Sequence, residues 1–118
     1  MSAIDIKELL AQTDNDWELL REAFAILREE SPIELAKLEA CFWAADASGV
    51  AKSAHTIKGM LANFCAIDAW NAASDIERAA LANDLSNGSQ LFSQLKTAAD
   101  AVQSELQQLL EKPGHEYN

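Results

Sequence analysis

Apolar residues recur along most of the chain at spacings of three and four, which is the period of an amphipathic helix. The most regular run lies between residues 50 and 64, where apolar positions are separated by 4, 3, 4 and 3 residues. Neither the strict alternation that marks a half-buried strand nor an internal repeat stands out. The pattern therefore predicts six helices, over about residues 2–11, 15–30, 31–45, 46–65, 68–82 and 89–112.

The predicted boundaries coincide with residues that cap or stop helices. The run Ser31-Pro32-Ile33-Glu34 is typical of a helix start, because serine can cap, proline suits the first helical position and glutamate completes a capping box. Asp46 and Asp68 are the predicted N-caps of the next two helices. A turn is expected over residues 83–89, and Pro113-Gly114 should stop the last helix.

Long amphipathic helices with short connections predict an all-α fold, an antiparallel four-helix bundle with one or two additional N-terminal helices. A chain of 118 residues has the length of a single domain. We divide residues 1–118 into an N-terminal helical cover of about 1–30, a bundle of about 32–112 and a frayed tail of 113–118. Periodicity assigns Ala45 and most aromatic residues to the core, namely Trp17, Phe24, Phe42, Phe64 and Trp70, whereas Trp43 lies off the apolar stripe.

Composition and charge narrow the class of function. The net charge of −10 argues against binding to nucleic acid or to an anionic membrane surface, since both need a basic face. The sequence has no long apolar stretch and no signal-peptide pattern, so we expect a cytoplasmic protein. Two cysteines are too few for a disulfide scaffold, and Cys41, Cys65, His55 and His115 lack the spacing of a metal site. We expect a monomer, because no second apolar stripe remains once the bundle is built.

One histidine lies on the polar side of the predicted motif helix. His55 projects nearly opposite the stripe of Val50, Ala54, Ile57, Leu61 and Phe64, with Lys58 at i+3 and Gly59 at i+4. A neutral imidazole is a good nucleophile near pH 7, a lysine one turn away can meet anionic oxygens, and glycine lets another molecule approach closely. A lone surface histidine usually has no function, so it is the combination of the three residues that points to chemistry. Together they suit an anionic group that a bulky partner delivers to His55.

The segment Ala54-His55-x-x-Lys58-Gly59 resembles the signature of the histidine phosphotransfer (HPt) domains of bacterial and plant phosphorelays. The resemblance covers about residues 15–110. It implies that His55 takes a phosphoryl group from an aspartyl phosphate on a response-regulator receiver domain and passes it to a second receiver aspartate. It also implies a phosphocarrier without kinase or hydrolase activity of its own, and receivers or a hybrid sensor histidine kinase as partners. No intrinsic cofactor is expected, since the receiver would bring the magnesium.

The resemblance also implies roles for residues around His55. Lys58 would balance charge on the phosphoryl oxygens, while the receiver would dock over Ala51, Lys52, Gly59 and Ala62. Glu77 lies at the rim of the Ala73-Ile76-Ala80 seam and matches a position where related domains carry a polar residue that hydrogen-bonds the histidine. Glu77 could therefore orient the ring, or it could be a solvated carboxylate that pairs with Arg78 or Lys58.

The sequence departs from the family pattern at Cys65, where glycine is usual. A glycine there could adopt a positive φ and end the helix, whereas a cysteine in that conformation would be strained by roughly 1 kcal/mol. Two other functions stay open beside the phosphocarrier. One is an HPt-like interaction module that docks a receiver or kinase without carrying phosphate, and the other is a structural bundle whose motif matches by chance.

Overall fold

The computed structural model describes residues 2–111, which form five α-helices. They are α1 (Ile6–Gln12), α2 (Trp17–Trp43), α3 (Ala47–Ala62), α4 (Ile67–Leu81) and α5 (Gly88–Glu111). Helix α2 packs against α3 and α5, and α4 packs against the same two helices, so the four long helices close into a bundle. No strand occurs between residues 2 and 111, and the all-α four-helix bundle with one additional N-terminal helix confirms the predicted fold class.

The bundle is held together by apolar stripes that meet along its axis. The stripe of α3 is buried as its spacing predicts, with Val50, Ala54, Ile57 and Leu61 at most 3% exposed. Small residues on α4, Ala69, Ala73 and Ala80, are also buried and allow α3 and α4 to pack closely. The other helices contribute larger side chains to the same core, among them Leu9, Leu20, Leu38, Leu95, Val102, Leu106 and Leu109.

The predicted break between residues 30 and 31 is wrong, because α2 runs without interruption through Ser31 and Pro32. A proline in a helix interior removes one backbone hydrogen bond, here to the carbonyl of Arg28, and costs about 3 kcal/mol. The helix continues because one apolar stripe extends across the proline, from Leu20 and Leu27 on one side to Leu38 on the other. Pro32 itself lies on the exposed side, so its ring displaces no core side chain.

Two predicted details at the ends of α2 and α4 also differ. Ala45 was assigned to the core but is exposed, because α2 ends at Trp43 and Ala45 takes a positive φ of 53° in the turn. Asp68 is not an N-cap: Ala66 occupies that position without a side-chain hydrogen bond, and Asp68 lies in the first turn. Asp46 does cap α3, since its carboxylate accepts a hydrogen bond of 3.0 Å from the Gly49 N–H.

Aromatic residues are divided between the core and the surface. Phe24 and Phe64 are buried, Trp17 and Phe42 are half-buried, and Trp43 is 85% exposed. Gly88 allows the Phe42 ring to pack on the start of α5, because a Cβ at Gly88 would lie 2.7 Å from that ring. Trp70 was predicted in the core and is instead 36% exposed, with a contact described below. Lys112 and the predicted tail, residues 113–118, lie outside the described residues.

Candidate functional site

Helix α3 presents His55 to solvent because its buried stripe lies on the opposite side of the helix. The His55 side chain is 70% exposed, which confirms the orientation expected from the spacing. Lys52 and Gly59 are exposed on neighbouring positions of the same face, and Ala51 is half-buried beside them. Ala62 is exposed one turn further along. Of these four neighbours of His55, only Lys52 has a long side chain.

Gly59 leaves an open approach to this face. A Cβ built at Gly59 would meet no atom within 4 Å, so nothing inside the molecule requires glycine there. Glycine is about 1 kcal/mol less favourable than alanine in a helix interior. A close contact with another molecule would explain why the helix has glycine at this position.

Glu77 of α4 reaches across to His55. Its Oε2 lies 2.9 Å from Nδ1 of the histidine ring. The Glu77 side chain is only 16% exposed, since it lies on α4, which packs against α3. The structure thus brings together two residues that are 22 positions apart in the sequence.

Glu77 binds the lysine of the motif through its other oxygen. Lys58 Nζ donates to Glu77 Oε1 at 2.5 Å, and the Lys58 side chain is only 20% exposed. The hydrogen bond from Lys58 is the main reason that the pKa of Glu77 lies below its usual value, and the contact with His55 lowers it further. Burial acts in the opposite direction and is outweighed. Glu77 is therefore ionised at neutral pH.

An ionised Glu77 determines which nitrogen of the neutral His55 ring carries the hydrogen. A carboxylate has no proton to donate, so the contact with Nδ1 is a hydrogen bond only when Nδ1 carries the proton. In the neutral ring, the lone pair then lies on Nε2. The alternative prediction for Glu77, a solvated carboxylate that pairs with Arg78 or Lys58, holds only in the ion pair with Lys58, because the Glu77 side chain is only 16% exposed. Arg78 does not take part, since it pairs with Asp75 on the same helix.

Trp70 is the residue of the site that sequence reasoning missed. It lies on α4 seven residues before Glu77, and Lys58 Nζ is 5.2 Å from the centroid of its ring. The signal was its position, because residues seven apart share one helix face and Trp70 flanks the buried Ala69-Ala73 seam. Assignment to the core by periodicity hid that placement.

The motif residues do not belong to any cluster of possible metal ligands in the described part of the chain. Among the residues between 2 and 111, no group of three histidine, cysteine or acidic side chains is arranged to hold a metal ion. His115 lies outside that range. Within the same part of the chain, no helix is long and apolar enough to span a bilayer.

Comparison with known proteins adds two findings. The sequence model of the family described as Hpt domain matches residues 22–111. Among solved structures, the chain is similar to the crystal structure of histidine-containing phosphotransfer protein B (HptB) from Pseudomonas aeruginosa PAO1. The TM-score is 0.85 at 20% sequence identity, and the alignment covers 92% of this chain and 95% of that one. A search of curated proteins gives no significant match.

Proposed function

Because the chain belongs to the Hpt domain family and is a phosphocarrier of a phosphorelay, we propose that His55 is the residue that carries the phosphoryl group. The observation that supports this most is the hydrogen bond of 2.9 Å between Nδ1 and Glu77, made by a side chain that is otherwise 70% exposed. The buried side of the ring is held, and Nε2 is left with the lone pair for attack.

The proposed reaction moves a phosphoryl group from one aspartate to another through His55. Nε2 of His55 attacks the phosphorus of an aspartyl phosphate, the N–P bond forms, and the O–P bond to the aspartate breaks as the carboxylate leaves. The proton on Nδ1 stays in place and keeps its hydrogen bond to Glu77, which offsets the positive charge that develops on the ring. In the second step, a carboxylate oxygen of another aspartate attacks the same phosphorus, and Nε2 leaves with its lone pair.

We further propose that the donor and acceptor are receiver domains, which dock over the face of Ala51, Lys52, Gly59 and Ala62. Three of these residues have small side chains, and Lys52 and Gly59 are exposed. An approach over this face is supported by the open space at Gly59. Magnesium would be supplied by the receiver, and the chain would act without kinase or hydrolase activity, as a monomer in the cytoplasm.

The test is transfer from a receiver that carries radioactive phosphate. The wild-type chain should acquire an acid-labile label, and His55→Gln should acquire none while keeping its melting temperature. A wild-type chain that binds the receiver without becoming labelled would be an interaction module instead. Label on the His55→Gln chain would overturn the assignment of His55, and label from ATP without any receiver would show a kinase activity that we do not expect.

A further inference from the structure

Trp70 and Glu77 lie on the same face of α4, two helical turns apart. The Lys58 ammonium reaches this face from α3 and contacts both residues, Glu77 Oε1 at 2.5 Å and the ring of Trp70 at 5.2 Å from its centroid. A cation over an indole face is attracted by the negative face of the ring, and tryptophan gives the strongest such contact. The Lys58 ammonium is therefore held by two contacts, a hydrogen bond to Glu77 and a cation–π contact with Trp70.

The contact with Trp70 bears on how firmly the Lys58 ammonium is held against Glu77. An isolated lysine–glutamate pair at a surface is mobile, because ordering a long side chain costs much of what the charges gain. The pair of Lys37 with Glu34 is such a surface pair, with the Lys37 side chain 63% exposed and an N–O distance of 3.3 Å. The Lys58 side chain is 20% exposed and its bond to Glu77 is shorter. Of the two pairs, the less exposed and shorter one is the pair whose lysine also contacts the ring of Trp70.

Glu77 transmits this restraint to the histidine. One of its oxygens is bound by Lys58 and the other contacts His55 Nδ1. A carboxylate group is planar and rigid, so holding Oε1 limits where Oε2 can point. If the Lys58 ammonium moved away, the carboxylate could rotate, and the Nδ1 proton would lose a fixed acceptor.

We propose that Trp70 is a positioning residue for the phosphoacceptor. Its indole face holds the Lys58 ammonium on Glu77, and Glu77 then holds the His55 ring with the proton on Nδ1 and the lone pair on Nε2. The role in transfer rests on the proposed function, whereas the effect on the ring does not. Trp70 acts through Lys58 and Glu77 and touches neither the phosphoryl group nor the attacking nitrogen.

The decisive comparison is between two tryptophans that differ in this contact. Trp70→Leu removes the indole face and keeps an apolar side chain, and Trp70→Phe keeps a weaker aromatic face. Trp43→Leu is the matched control, because Trp43 is 85% exposed and belongs to neither the His55 face nor this network. Nitrogen NMR of the His55 ring reports the share of neutral rings with the proton on Nδ1, and it needs no phosphate donor.

In Trp70→Leu we expect the share of neutral His55 rings with the proton on Nδ1 to fall and the pKa of Glu77 to rise towards its usual value. Trp70→Phe should lie between Trp70→Leu and wild type in both respects. Trp43→Leu should match wild type. Transfer at saturating receiver should slow about two- to fivefold in Trp70→Leu, the factor expected for one cation–π contact at the weak end of the usual range. The half-saturating receiver concentration should stay the same.

An unchanged His55 tautomer in a folded Trp70→Leu chain would overturn the proposal. A change of the same size in Trp43→Leu would also overturn it. So would a Trp70→Phe chain whose tautomer is no closer to wild type than that of Trp70→Leu. If the wild-type chain accepts no phosphate, the proposed function fails, yet a tautomer that shifts in Trp70→Leu still supports the positioning role. The two failures can therefore be told apart.

Discussion

Glu77 Oε2 lies 2.9 Å from His55 Nδ1, so a histidine of α3 contacts a carboxylate of α4. The same carboxylate is bound by Lys58, which lies one turn from the histidine on α3. A single acidic side chain thus contacts both His55 and Lys58 of the motif. Changing Glu77, Lys58 or the open face around Gly59 should therefore affect different measurable steps.

Replacing Glu77 with glutamine should weaken the ring restraint and alter the response of stability to acid. The pKa of Glu77 is lowered in the folded chain, chiefly by the hydrogen bond from Lys58. Its charge therefore stabilises the fold above the pKa of an unfolded glutamate, about 4.3, and this contribution disappears as the pH falls through the lower folded value. We expect the difference in unfolding free energy between wild type and Glu77→Gln to be constant near pH 7 and to shrink below about pH 4. Urea denaturation across this range measures it, and a gap of equal size at pH 3 and pH 7 would contradict the expectation.

Lys58→Ala should slow the transfer step more than it weakens receiver binding. Lys58 is largely buried against Glu77, and loss of a charged hydrogen bond of this kind should reduce the rate at saturating receiver roughly tenfold or more. Lys52→Ala is the matched control, because Lys52 is exposed on the His55 face and should act on docking, in a way that fades with salt. Single-turnover kinetics separate the two. If Lys58→Ala reaches the wild-type rate at saturation and only its half-saturating concentration rises, Lys58 is a docking residue.

Gly59→Gln should block a partner while stabilising the chain itself. Glutamine is a better helix former than glycine by up to about 1 kcal/mol, and the space around Gly59 is open, so the melting temperature should rise. Receiver affinity should fall, because the long side chain would project over the His55 face. Gly59→Ala provides the control, since it gains helix propensity with little bulk and should retain most of the affinity. Equal affinity for all three chains would place the docking surface elsewhere.

Pro32→Ala should stabilise the bundle by about 2 kcal/mol. It restores the hydrogen bond to the Arg28 carbonyl, worth most of the 3 kcal/mol that an interior proline costs, and it loses up to about 1 kcal/mol through a more flexible unfolded chain. Glu29→Ala, another exposed change on the same helix, should stay within about 0.5 kcal/mol of wild type. Urea unfolding of the three chains tests this. A Pro32→Ala chain no more stable than wild type would mean that α2 already accommodates the proline at no cost.

The sequence was sufficient for the fold class and for the exposed face of α3, because both follow from the period of apolar residues. It failed at Pro32, where a complete set of local start signals was outweighed by a stripe that stays in register on both sides. Leu27, Ser31, Leu35 and Leu38 are spaced 4, 4 and 3 residues apart, so the continuity was present in the sequence. Local capping chemistry is worth about 1 kcal/mol, which is less than the burial of the leucines on either side.

The site was less predictable than the fold, because it depends on contacts between two helices. The face of Glu77 could be placed, but not whether its carboxylate would bind His55, Lys58 or Arg78. The structure shows the first two and excludes the third, since Arg78 pairs with Asp75. Trp70 was misplaced for the same reason, because a residue at the edge of a seam can turn inwards or towards a neighbouring helix, and the cation that attracts it belongs to α3.

The turn after α3 has a consequence for the beginning of the chain. Cys65 adopts a positive φ of 53°, the conformation that glycine usually takes after a helix. Its carbonyl oxygen accepts a hydrogen bond of 3.1 Å from the Asp5 N–H, just before α1. That single amide proton is therefore a reporter of whether α1 is docked. If its hydrogen exchange is faster than that of core amides such as Leu106, then α1 detaches in a local opening while the bundle stays folded. Equal rates would show that the short helix and the bundle unfold as one cooperative unit.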